Sequence, residues 1–112
     1  MKLDYWQIDL YLVRLTLKYL EQPGEVSHWK EKITGNLEGN ENNHGLWFLL
    51  GSVCYIQGDF ERAAECFTNC VNLDPSNVQY HKNLAFAFRQ MGRYDEFDDI
   101  IFDKLPNLKK QE

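Results

Sequence analysis

Cys66 and Cys70 stand one helical turn apart, and a pair of thiols at that spacing is the feature of this sequence that could most directly do chemistry. With a histidine, the pair could hold a metal or form the centre of a cryptic thiol enzyme. The usual paired Cys/His spacings of zinc sites are missing, however. All three cysteines also fall inside apolar helical segments, where a thiol behaves as a small buried hydrophobe. His28, His44 and His81 are scattered, and no G-x-S-x-G, phosphate loop or H-E-x-x-H accompanies them. The acids Asp95, Glu96, Asp98, Asp99 and Asp103 lack the glycine and the spacing of a calcium loop and read as a solvated helix face. These residues predict a chain with no catalytic residues, metal or cofactor, and leave a thiol or metal protein as the alternative of another class.

The elements that carry these residues are set by composition and period. With 112 residues, 44% hydrophobic and 26% charged, the chain suits one small folded domain over residues 1–112. Its net charge of −5 argues against nucleic acid and against an acidic membrane surface as partners. Asp4, Asp9, Arg14 and Lys18 interrupt the apolar N-terminal stretch, which predicts neither a signal peptide nor a membrane span and points to the cytoplasm or nucleus.

Gly24, Gly58 and Gly92 lie 34 residues apart, and the same step relates Val26, Phe60 and Tyr94, and Ile33, Phe67 and Ile101. Each copy reads as two helices joined at the glycine, whose free backbone ends the first helix. Helical periodicity predicts about six helices, near 3–21, 25–36, 45–57, 60–73, 78–91 and 94–104, with no strand and with a tail that frays beyond Pro106.

Trp47, Leu50, Gly51, Ala63, Phe67 and Pro75 stand at the separations W-x2-L-G, A-x3-F and P, with Cys54 in the place of a tyrosine. In this the sequence resembles the tetratricopeptide repeat family. Residues 44–77 make a clear repeat. Residues 78–105 make a partial one, with His81 for the tryptophan and Phe97 for the alanine. Residues 3–43 read as a degenerate repeat or a capping hairpin, with Trp29 at the alanine position. The resemblance implies an all-α stack of antiparallel helical hairpins wound into a superhelix, whose first helices line a concave groove that holds a peptide or helix.

On those first helices, positions four and three apart form stripes beside the packed face. They are Phe48, Ser52 and Tyr55 in the middle copy; Lys82, Phe86 and Arg89, with Gln79 and Asn83 beside them, in the last; and Arg14, Lys18 and Glu21, with Tyr11 nearby, in the first. A basic and aromatic groove in an acidic protein predicts an acidic peptide partner with apolar anchors. The expected function is a non-catalytic interaction module or adaptor, the alternative a small chaperone that masks an apolar client segment. Leu49, where an asparagine would be expected, disfavours the clamp by which some family members hold the C-terminal carboxylates of heat-shock chaperones. Apolar residues around most of the first helix, from Leu3 to Leu20, predict self-association through it.

Overall fold

The structure is a computed structural model, and it describes residues 18–19 and 21–110. Helix α1 runs Pro23–Leu37, α2 His44–Ile56, α3 Phe60–Leu73 and α4 Val78–Gln90. The C-terminal rod consists of α5 (Tyr94–Asp99), a π-helical turn (Ile100–Lys104) and α6 (Leu105–Lys110), consecutive in the chain. There is no strand among the described residues, and the fold is all-α. The N-terminal apolar stretch and its expected self-association lie outside the described residues.

Short polar side chains start the inner helices. Asn43 accepts from the Leu46 N–H and Asn77 from the Tyr80 N–H, two caps one repeat apart, while Asp59 caps α3 through the Arg62 N–H. Gly58 (φ 84°) and Gly92 (φ 75°) make the left-handed turns into α3 and α5. The expectation for Gly24 does not hold. It lies inside α1, because Pro23 opens that helix, and the third positive-φ glycine is Gly39 after the helix has ended.

The middle hairpin is held by near contact of backbones. A Cβ on Gly51 would stand 2.7 Å from the Phe67 ring and 3.0 Å from Cys66 Cβ. Ala63 and Phe67 are fully buried against that seam, in one core that continues from Leu37 to Leu105.

The last hairpin also departs from expectation. The chain does not fray at Pro106 but stays helical to Lys110, with Leu105 fully buried. Proline has no N–H for the helical ladder. The turn before it is widened so that the Leu105 N–H donates to the Ile100 carbonyl, five residues back, and the helix continues past the ring. Phe97, at the alanine position, is accommodated by Phe86, whose ring centroid is 6.1 Å away, and by the Arg89 guanidinium at 5.7 Å.

Candidate functional site

Helices α2 and α4 are the inner helices of successive hairpins, and long side chains join them. His44 Nδ1 and the Tyr80 hydroxyl are 2.6 Å apart at their N-terminal ends, and Gln90 Nε2 donates to the Tyr55 hydroxyl at 3.2 Å near their C-terminal ends. The two helices therefore run parallel. Between these links Phe48 lies 5.7 Å from Tyr80 and 6.4 Å from Phe67, centroid to centroid, and Tyr55 meets Phe60 edge-on at 5.2 Å. Burial raises the pKa of the Tyr80 phenol, so it remains a neutral hydroxyl facing the imidazole.

The expected site residues are distributed unevenly over this frame. Ser52 is fully buried, its hydroxyl donating to the Phe48 carbonyl. Lys82 is 9% exposed and Asn83 1% exposed. Gln79 Nε2 donates to Asn83 Oδ1 at 2.8 Å, while Asn83 Nδ2 has no hydrogen-bond partner among the described residues. Tyr55 and Phe86 are half-buried and Arg89 is exposed, making no ion pair with a described residue. Lys18 pairs with Glu25 at 2.9 Å and covers the Trp29 ring at 4.2 Å, on α1. Tyr11 and Arg14 lie outside the described residues. On α2 and α4, Phe48, Tyr55, Gln79, Phe86 and Arg89 thus keep exposed area, and Asn83 keeps a donor with no partner among the described residues.

Sequence reasoning missed His44, Tyr80 and Gln90, which tie α2 to α4. Their separations, 36 for His44 to Tyr80 and 35 for Tyr55 to Gln90, sit within two residues of the repeat length and were the available signal. It also missed a cleft of about 660 Å³ on α3, lined by Glu61, Arg62, Thr68, Phe88, Met91 and Arg93 among others.

The thiols are core atoms. Cys54, Cys66 and Cys70 are free and buried. A hydrogen bond to Cys54 and then burial push the Cys66 thiol far up, and burial pushes Cys70 up to about 12. Held protonated, Cys66 and Cys70 are poor nucleophiles, whereas the hydrogen bond with Cys66 lowers the pKa of the Cys54 thiol. Among the described residues no three His, Cys, Asp or Glu side chains converge to hold a metal. Nor is any described helix long and apolar enough to cross a membrane.

The tetratricopeptide repeat family profile matches residues 44–77. A TPR repeat-containing protein of Methanocaldococcus jannaschii is 30% identical over 69 residues, 62% of this chain and 12% of its own length. Hsp70-Hsp90 organizing protein 3 of Arabidopsis thaliana is 39% identical over 46 residues, 41% of this chain and 8% of its own. Two solved structures of MamA superpose with TM-scores of 0.70 and 0.71 at 27% identity, over 90% of this chain and 54% and 59% of theirs. The chain spans a small part of these curated relatives and little more than half of MamA. Residues 44–77 thus carry one matched tetratricopeptide repeat, and in its all-helical fold and its relatives the chain is similar to proteins of that family.

Proposed function

We propose that the chain is a non-catalytic interaction module that takes an acidic peptide with an aromatic or large aliphatic anchor against α2 and α4. The reading rests on two half-buried aromatics of the inner helices, Tyr55 on α2 and Phe86 on α4, together with the exposed Arg89 guanidinium, which makes no ion pair with a described residue. The aromatics offer area for an anchor and Arg89 attracts a carboxylate. Lys82 contributes through its field, because so little of it meets solvent.

A contact set of this size supports micromolar affinity, on the order of −8 kcal/mol, that weakens as salt screens Arg89. Fluorescence anisotropy with an acidic peptide carrying one tryptophan tests it. Arg89→Glu should slow association and flatten the salt dependence, Tyr55→Ala should chiefly speed dissociation, and a peptide without the tryptophan should bind weakly. Equal binding of the peptide to both variants and to the parent would remove this face as the site.

A further inference from the structure

The C-terminal rod keeps two large aromatics in water. Tyr94 is 62% exposed and Phe102 69% exposed. With Asp98 between them they recur at steps of four, so they share one side of the helix, and Asp95, Asp99 and Asp103 form the adjacent row. Lys104 reaches Asp99 at 3.4 Å, and no ion pair to a described residue engages Asp95, Asp98 or Asp103. An exposed phenylalanine ringed by carboxylates calls for an apolar hole with a basic rim.

The same chain has such a hole at its other end. Trp29, Ile33, Leu46, Leu49 and Val53 line a cleft of about 290 Å³ between α1 and α2, with Lys32 on its wall. Where α3 has the small, fully buried Ala63, Cys66 and Cys70, α1 has Trp29, Lys32 and Asn36, one step of 34 earlier, and these three line the cleft. Lys32 is exposed and makes no ion pair with a described residue. A cavity of about 150 Å³ lined by aliphatic side chains already admits a benzene ring. This cleft is large enough for a phenylalanine side chain.

We propose that copies of this chain associate head to tail, Phe102 of one copy entering the α1–α2 cleft of the next, with Asp98 and Asp103 facing its Lys32. Hole and knob are different surfaces of one molecule, so the contact is heterologous and extends to longer assemblies or closes into a ring. The peptide-binding face on α2 and α4 is not used, and this inference stands or falls separately from that reading.

Sedimentation velocity of the full chain over a concentration series is the test. The mean mass should rise with concentration. Phe102→Ala should weaken association about thirtyfold, the loss expected for an anchor side chain. Lys32→Glu alone and Asp98→Lys alone should each weaken it, and an equimolar mixture of the two should regain association, since the cleft of one then meets the rod of the other with the charges exchanged. All three positions are exposed, so thermal unfolding of each variant should match the parent and separates lost contact from lost fold. A parent that stays monomeric, or self-association that Phe102→Ala leaves unchanged, or a variant mixture no stronger than its components, would each overturn the proposal.

Discussion

Gly51 joins two helices by having no side chain. With the Phe67 ring 2.7 Å from where its Cβ would be and Cys66 Cβ at 3.0 Å, one methyl group forces α2 and α3 apart. Gly51→Ala should therefore destabilise the fold by about 1–3 kcal/mol in urea unfolding, although alanine is the better helix former. The neighbouring thiols carry a second consequence. The Cys70 pKa is raised from 9.0 to about 12 by burial, so between these values the folded state holds a proton that the unfolded state has lost. The stabilisation is complete below pH 9.0 and declines as pH rises toward about 12, with a limiting slope of about 1.4 kcal/mol per pH unit. Comparing parent and Cys70→Ala by denaturant unfolding from neutral to alkaline pH checks this, and the parent should show the steeper alkaline fall.

At the level of elements, the C-terminal rod depends on a local irregularity. The π turn at Ile100–Lys104 absorbs the missing N–H of Pro106 and lets Leu105 reach the core, where it is fully buried. Leu105→Ala should cost about 2–5 kcal/mol by thermal or urea unfolding, the range for a leucine removed from a closed core. A rod that simply frayed after Lys104 would show almost no effect. The inner helices rely on their asparagine caps in the same way, and Asn77→Ala should cost about 1 kcal/mol by leaving the Tyr80 N–H without its acceptor.

For the whole molecule, stability is expected to vary along the stack. A repeat protein is held by its hairpins and by the seams between neighbours, and a loose seam opens first. The α2–α3 seam is closed by Gly51, Ala63 and Phe67, whereas the α1–α2 seam retains a cleft of about 290 Å³. Amide hydrogen exchange should therefore run faster in α1 than in the middle of α3. Equal protection of the two would mean that the molecule opens as one unit.

The sequence by itself determined the repeat, because its residues are read in fixed steps. A 34-residue period, a glycine where two helices touch and an alanine–phenylalanine pair facing it describe contacts within one hairpin, and these are set by local spacing. The tertiary structure decided what those steps could not. Gly24 shares the period of Gly58 and Gly92, yet Pro23 starts a helix in front of it and makes it an ordinary helical residue. Pro106 looks like an ending, yet burial of Leu105 outweighs the lost hydrogen bond and the helix widens to pass it. The stripe on α2 and α4 was legible as a set of positions, but how much of each meets solvent depends on neighbours far away in sequence. Phe97 packs at a tilt on Phe86, Tyr80 packs on Phe48, and Ser52 turns its hydroxyl to the Phe48 carbonyl. Periodicity places side chains around a helix axis, and the packing of one hairpin on the next decides which of them remain exposed.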